Sequence, residues 1–226
     1  RDLNKEYRRQ RQMCIRDRDD TTLHGPDGLN LPLHLRVPGR ANRGNAAQAV
    51  AAAVAMQINP TAAVEAAESV NDVAGRYTTI TLDNREIHLL LAKNPAGWQE
   101  ALNMVDRTAD SLVIAVNGQE ADGFDLSWLW DVRFENFSDT NVFCAGERGT
   151  DLSVRLTYAG VEHQLVHDPL QAIRQCPPGR VEVLANYTAF RDLFRDLRRL
   201  TGAGAGTADD PTFRPHKERP HKEDMQ

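Results

Sequence analysis

The pattern of apolar and polar positions changes at Tyr77. From there to Leu200, short apolar runs alternate with longer stretches in which apolar residues recur at helical spacing. This alternation predicts an α/β domain with a Rossmann-like, mostly parallel, doubly wound sheet. Strands are predicted at residues 77–82, 85–91, 112–116, 141–145, 162–166 and 181–185, and helices at residues 98–105, 151–159, 169–175 and 188–200.

The part of the chain ahead of this domain follows a different pattern. Alternation of leucine and valine with other residues predicts a half-buried strand at residues 31–37. A turn at residues 38–45 then leads into an alanine-rich helix at residues 46–58. Asn59 and Pro60 predict the start of a second helix, with asparagine as its cap and proline at its first position. This helical pair is too small to be a domain, so it is expected to be the end of a larger one.

The two ends of the chain are expected to lie outside the folded body. Residues 1–18 include a string, residues 12–18, that resembles translated sequencing-adapter sequence. Residues 1–21 are therefore predicted to be a non-native or disordered head. Residues 202–226 have no apolar periodicity, which predicts a disordered tail.

Charge and composition narrow the class of protein. Residues 1–18 carry a charge of +4 and residues 207–226 carry −1, so the formal total of −5 leaves −8 for residues 19–206. An acidic body without a basic stripe argues against nucleic-acid binding. No apolar run reaches membrane-spanning length, and the start shows no secretory pattern of a basic head followed by an apolar core. Cys14, Cys144 and Cys176 form no disulfide or metal-binding pattern, which favours a reducing, cytoplasmic setting.

The segment at residues 122–135 is the first candidate for chemistry. It follows a predicted strand and interleaves Trp128 and Trp130 with four carboxylates. In an open α/β sheet, ligands and catalytic groups collect in the loops after the carboxyl ends of the strands. The segment therefore predicts a contact surface that carries a reactive carboxylate. The alternative is a helix start, with Asp125 as the cap and the tryptophans as packing.

The second candidate is the loop at residues 93–97, which also follows a predicted strand. Lys93 and Asn94 at a strand end, with a helix start behind them, are suited to hold a phosphate or nucleotide. The alternative is a plain connection between strand and helix. No glycine-rich phosphate loop of the G-x-x-x-x-G-K-[ST] type occurs in the chain, so this chain alone is expected to be inactive with ATP.

Five strings taken together resemble the MurT family, the Mur-ligase-like subunits of lipid II isoglutaminyl synthase. They are VPGRANRGNA at residues 37–46, VAGRY at 73–77, LLAKNPAGW at 90–98, DGFDLSWLWDV at 122–132 and ANYTAF at 185–190. The resemblance implies that residues 22–76 are the C-terminal part of a Mur ligase central domain and residues 77–201 the Mur ligase C-terminal domain. The phosphate loop and the zinc ribbon of the family lie upstream of the matched part.

The family resemblance implies a cytoplasmic ligase that acts at the inner face of the membrane. It would use ATP with Mg²⁺ to amidate the α-carboxylate of D-glutamate in the stem peptide of lipid II. The ammonia would come from glutamine, hydrolysed by a GatD-like class I glutaminase as partner. Two alternatives from the residues stay open. One is a non-catalytic Rossmann-like module that docks a partner enzyme, and the other is a Mur ligase that adds an amino acid to a peptidoglycan precursor.

The resemblance also implies roles for single residues. Asp125 matches the aspartate that completes the Cys-His pair of the glutaminase across the subunit interface, and Asp131 is the second choice. Asn42 and Arg76 resemble positions near the nucleotide. Lys93 and Asn94 occupy the place where Mur ligases carry the end of their Asp-Tyr-Ala-His-Asn/Thr-Pro motif, which implies nucleotide or substrate binding. Leu90 stands where those ligases have a ribose-binding aspartate.

Overall fold

The structure is a computed structural model of the chain. It describes residues 21–25, 28–73, 76–106, 108–137 and 139–202. Most of the predicted head and tail, residues 1–20 and 203–226, lies outside this part. No helix among the described residues is both long enough and apolar enough to cross a bilayer.

The segment ahead of the main sheet has a small core of its own. Strands β1 (Thr22–His24) and β2 (Asn30–Pro32) pair antiparallel. Helices α1 (Arg40–Ala55) and α2 (Pro60–Glu68) pack on each other, and α2 also packs on β2. The buried residues of this core are Leu33, Val50 and Val64. The assignment of this segment to the central domain of a longer protein stays a prediction.

Two predictions for this segment are wrong. The strand predicted at residues 31–37 ends at Pro32, because β1 offers only three residues for pairing and Leu33 turns into the small core. The first helix begins at Arg40 and not at residue 46. Gly39 has a φ of 98°, and a Cβ there would lie 2.6 Å from Met104 Cγ. The close approach of another part of the chain therefore sets the helix start at this glycine.

An antiparallel hairpin forms one edge of the main sheet, as the sequence predicts. Strand β3 (Tyr77–Leu82) pairs along its whole length with strand β4 (Arg85–Leu91). Asp83 and Asn84 connect them with φ values of 49° and 58°. Two successive left-handed residues give a turn whose twist matches that of the strands, and Asp and Asn tolerate this conformation better than most residues.

Four further strands extend the sheet in parallel. They are β5 (Ser111–Ala115), β6 (Val142–Ala145), β7 (His163–Leu165) and β8 (Gly179–Ala185). The order across the sheet is β3-β4-β8-β5-β6-β7, and every pair except β3-β4 is parallel. Strand β8, the last in sequence, thus lies between β4 and β5.

Helices cover both faces of the sheet. Helices α3 (Pro95–Met104) and α4 (Gly149–Tyr158) pack on one face, and α5 (Pro169–Gln175) and α6 (Tyr187–Leu200) pack on the other. The two cores meet at the central strands, whose side chains point alternately to either face. The predicted fold class, a mostly parallel doubly wound α/β domain, is confirmed.

Three helices begin with proline behind a capping side chain. Asn59 accepts hydrogen bonds from Thr61 N and Ala62 N, and Asp168 accepts them from Leu170 N and Gln171 N. Both starts agree with the prediction. Helix α3 begins at Pro95, three residues ahead of the predicted start, because Asn94 caps it in the same way.

Candidate functional site

The sheet order implies a crevice at the carboxyl ends of β4, β8 and β5. Helix α3 leaves β4 toward one face, whereas α6 leaves the neighbouring β8 toward the other face. Connections that leave adjacent parallel strands in opposite directions open a crevice between them. This is the usual ligand position in an open α/β sheet.

Two asparagines join the strand ends at the base of this crevice. Asn186, after β8, accepts a hydrogen bond from Asn117 N at 3.0 Å and donates one to Asn117 O at 2.7 Å. Asn117, after β5, accepts one from Glu147 N at 3.0 Å, next to the end of β6. Both side chains are buried. The pair therefore fixes three neighbouring strand ends against one another.

Replacing Asn186 by alanine is expected to lower the free energy of unfolding by about 2–4 kcal/mol. The change removes the partners of a buried N–H and a buried C=O of Asn117, and each costs about 1–3 kcal/mol when left unsatisfied. Urea denaturation of the full-length protein measures the loss. Asn94→Ala is the matched control, because it removes one exposed cap and should cost about 1 kcal/mol. Equal losses for the two variants would contradict the role given to Asn186.

The structure brings three of the predicted nucleotide-site residues to one edge of the crevice. Lys93 follows β4, and its ammonium lies 4.8 Å from the centre of the Tyr187 ring. Asn94 Oδ1 accepts a hydrogen bond from Gly97 N at 2.8 Å and caps α3. The carbonyl of Arg76 accepts one from Leu91 N at 2.8 Å, so the main chain of Arg76 lies beside the end of β4.

No hydrogen bond or ion pair joins the Asn42 side chain to these residues in the described part of the chain. It lies in the first turn of α1, where its side chain donates to Pro38 O at 2.6 Å. The same turn reaches α3 through a hydrogen bond from Ala41 N to Glu100 Oε1 at 3.2 Å. Asn42 thus belongs to the junction between α1 and α3.

Asp122 anchors the loop that leads from β5 to the tryptophans. Its carboxylate accepts hydrogen bonds from Thr188 N, at 3.0 Å, and from the Thr188 hydroxyl. Thr188 lies in the first turn of α6, where main-chain N–H groups have no partner within the helix. The first carboxylate of the segment is therefore a cap for a distant helix.

Asp125 opens the aspartate turn, which we define as residues 125–135. Its carboxylate is exposed and accepts hydrogen bonds from Ser127 N at 2.8 Å and Ser127 Oγ at 3.1 Å. These two bonds lower the pKa of the Asp125 carboxyl, so it is ionised at neutral pH. The capping role considered from the sequence is thus present. A carboxylate has about four acceptor positions, however, so two bonds leave it free to accept more.

The two tryptophans of the aspartate turn have different surroundings. Trp128 is half-buried and stacks on Trp98 of α3, with ring centres 5.5 Å apart. Trp130 is 55% exposed and meets Tyr158 of α4, itself 76% exposed, edge to face at 5.3 Å. Packing therefore accounts for Trp128 and leaves Trp130 and Tyr158, the aromatic pair, on the surface.

Asp131 ends the 3-10 turn Ser127–Asp131 and is exposed. Within the described residues its side chain has no hydrogen-bond or ion-pair partner. It lies next to Trp130 in sequence, so it remains the second choice for a carboxylate that acts on a partner.

Cys144, a buried residue of the sheet, is a candidate nucleophile only because it lies near the end of a strand. Cys144 lies in β6, and its thiol donates to Gln164 O. Burial raises the pKa of this thiol to about 11. The thiol is therefore protonated at neutral pH and unsuited to nucleophilic attack.

Several residues that shape this region were not predicted from the sequence. Asn117 and Asn186 both end an apolar run with asparagine, a repeated signal that could have marked them. Arg155 and Tyr158 lie on α4 and reach the aspartate turn only through the tertiary structure. No local pattern could have pointed to these two.

The fold is Mur-ligase-like, as superposition on solved Mur ligases shows. The UDP-N-acetylmuramate-alanine ligase MurC of Thermotoga maritima superposes with a TM-score of 0.58 at 18% identity, over 80% of this chain and 41% of that chain. The UDP-N-acetylmuramoylalanyl-D-glutamyl-2,6-diaminopimelate–D-alanyl-D-alanyl ligase of Acinetobacter baumannii gives a TM-score of 0.58 at 17% identity, over 79% of this chain and 41% of that chain. The MurF ligase of T. maritima, solved with ADP, gives 0.51 at 13%, over 80% and 42%. At these identities the likeness shows the fold alone.

Within this fold class, residues 91–190 match the family described as MurT ligase C-terminal. The MurT subunit of lipid II isoglutaminyl synthase (glutamine-hydrolyzing) from Streptococcus pneumoniae is 29% identical over 174 residues, 72% of this chain and 39% of its own length. The subunit of the same name from Staphylococcus aureus strain COL is 27% identical over 179 residues, 75% and 41%. The predicted resemblance to the C-terminal half of MurT is confirmed. The chain spans about 40% of the length of these curated relatives.

Proposed function

We propose that this chain is part of the Mur-ligase-like subunit of a glutamine-dependent lipid II isoglutaminyl synthase. The complete enzyme would amidate the α-carboxylate of D-glutamate in the stem peptide of lipid II, in the cytoplasm at the inner face of the membrane. Ammonia would come from a GatD-like class I glutaminase. The observation that carries the proposal is Asp125, an exposed and ionised carboxylate on a turn that also presents Trp130.

Asp125 would act on the partner and not on a substrate of its own chain. A glutaminase Cys-His pair needs a third group that orients the imidazole and stabilises its charged form. An exposed carboxylate with unused acceptor positions meets this requirement once a partner covers it. The aromatic pair beside it would supply the contact area, since exposed tryptophan and tyrosine are typical anchors of protein interfaces.

ATP with Mg²⁺ would activate the α-carboxylate of D-glutamate in lipid II, because a carboxylate does not react with ammonia at neutral pH. The described residues fit one edge of a nucleotide site: Lys93 and Asn94 at the end of β4, with Arg76 beside them and Asn42 at the junction of α1 and α3. No group of three or more His, Cys, Asp or Glu side chains that could hold a metal ion occurs among the described residues. The phosphate loop of the family lies upstream of the matched part.

Co-expression of the full-length protein with the glutaminase encoded next to it tests the proposal. We expect the two to co-purify, glutamine to be hydrolysed only by the pair, and lipid II to be amidated when ATP is present. The proposal fails if the two proteins co-purify but lipid II is not amidated. Co-purification in which Asp125→Asn leaves glutamine hydrolysis unchanged would favour the alternative, a module that only docks a partner enzyme.

A further inference from the structure

Arg155 of α4 lies beneath the aspartate turn and binds it at three points. Its guanidinium donates to Leu129 O at 3.2 Å, to Val132 O at 2.7 Å and to Glu135 Oε1 at 2.8 Å. Arg155 is only 6% exposed, whereas the Glu135 side chain is 51% exposed. Two main-chain carbonyls of one short segment and one half-exposed carboxylate thus bind this buried charge.

The same guanidinium supports the exposed tryptophan. It lies 5.6 Å from the centre of the Trp130 ring and 5.4 Å from that of Phe134. Within about 6 Å, a guanidinium is attracted to the face of an aromatic ring. Trp130 is therefore held by Arg155 on its ring face and by Tyr158 at ring contact distance, while more than half of its surface stays open.

A 3-10 turn needs such external support. Its hydrogen bonds are poorer than those of an α-helix, and it rarely extends beyond one turn. The 3-10 turn Ser127–Asp131 is closed by hydrogen bonds from Leu129 N to Leu126 O at 3.0 Å and from Val132 N to Leu129 O at 3.4 Å, the second of which is long. Asp125 and Ser127 stabilise its start and Arg155 its end. The position of Asp131 and Trp130 relative to Asp125 thus depends on the arginine.

We infer that Arg155 is the positioning residue of the docking surface, by which we mean the exposed side chains of Asp125, Trp130 and Tyr158. Arg155 holds Asp125 and Trp130 in the arrangement that the partner glutaminase recognises. The inference rests on the proposed function for the identity of the partner. Lysine cannot replace arginine here, because an ammonium is a single point of charge and cannot span two carbonyls and a carboxylate as the planar guanidinium does.

The test is Arg155→Lys in the full-length protein, with Arg195→Lys as the matched control. Arg195 is a half-exposed arginine of α6 that pairs with Asp192 on the surface. Acrylamide quenching of Trp130 fluorescence reports whether the ring has lost its contact with Arg155. The Trp130 signal is obtained by subtracting the fluorescence of the same protein carrying Trp130→Phe. Affinity for the glutaminase and its kcat and KM for glutamine in the saturated complex report the effect on the partner.

We expect Arg155→Lys to increase the quenching of Trp130, to raise the Kd of the complex about tenfold, and to lower kcat about tenfold with KM for glutamine unchanged. A residue that only stabilised the fold would leave kcat of the saturated complex unaltered. If Arg155→Lys does not fold, Glu135→Gln weakens the same support without emptying a buried position and should move each quantity in the same direction, by a few-fold.

The outcomes distinguish this inference from the proposed function. The positioning role is overturned if Arg155→Lys and Arg195→Lys give the same Trp130 quenching, the same affinity for the glutaminase and the same kcat. If Arg155→Lys releases Trp130 and weakens the complex while Asp125→Asn leaves hydrolysis intact, Arg155 keeps its role and the catalytic role of Asp125 is lost.

Discussion

Asp125→Asn in the complex with the glutaminase is expected to lower glutamine hydrolysis by about 10⁴-fold, the loss seen when the aspartate of a catalytic triad becomes asparagine. The asparagine can still accept the hydrogen bond from Ser127 N, so the aspartate turn should keep its shape. What it loses is the charge that stabilises an imidazolium and selects the tautomer of the partner's histidine. Ammonia release by wild-type and variant complexes measures the effect, and size-exclusion chromatography confirms assembly.

Two controls separate the charge of Asp125 from its capping bonds. Ser127→Ala removes the hydroxyl bond but keeps the carboxylate, and hydrolysis at pH 7 should stay within a few-fold of wild type. The lowered pKa of Asp125 means that losing one bond raises this pKa toward its ordinary acidic value, well below neutral pH. Asp131→Asn should also have little effect. An intact Asp125→Asn complex with near wild-type hydrolysis would reduce Asp125 to a cap, and a large loss with Asp131→Asn would transfer the role to that residue.

Trp130→Ala is expected to weaken the complex with the glutaminase by about 30-fold or more, the effect of losing an interface residue worth about 2 kcal/mol. The ring is 55% exposed, yet Arg155 and Tyr158 already hold it, so little freedom would be lost when a partner covers it. Titration calorimetry of the full-length subunit with the glutaminase gives the change in Kd.

The control for Trp130 is another exposed apolar residue. Leu200 ends α6, is 48% exposed and does not belong to the docking surface. Leu200→Ala should leave the Kd within about twofold, as expected for truncations outside an interface. If Trp130→Ala also leaves the Kd within about twofold of wild type, the partner docks elsewhere. Thermal unfolding of both variants reports any loss of stability from uncovering Arg155.

The strands and helices of the main domain were predictable because each is encoded by neighbours in sequence. Asp83 and Asn84 tolerate the left-handed turn of the first hairpin, and apolar runs such as residues 112–116 have no polar position to present to solvent. Prolines behind capping side chains mark the helix starts at Pro60 and Pro169. Predictions failed where a distant residue sets the boundary, as Met104 does at Gly39.

The candidate site was predictable only in part. The sequence pointed to the aspartate turn and to Lys93, because both follow an apolar run that ends a strand. It could not separate the roles of Trp128 and Trp130, which are two residues apart with similar local sequence. That difference arises because Trp98 lies under one ring, whereas Tyr158 only borders the other.

The α/β class, most of its elements and the resemblance to MurT all follow from the amino-acid sequence. The tertiary structure decided that β8 enters between β4 and β5, that Asn117 meets Asn186, and that Arg155 lies under the aspartate turn. The physical reason is that local periodicity states which face of an element is buried, but not what buries it. That choice depends on packing between segments 20 to 70 residues apart along the chain, here the separations of Arg155 from Val132 and of Asn186 from Asn117.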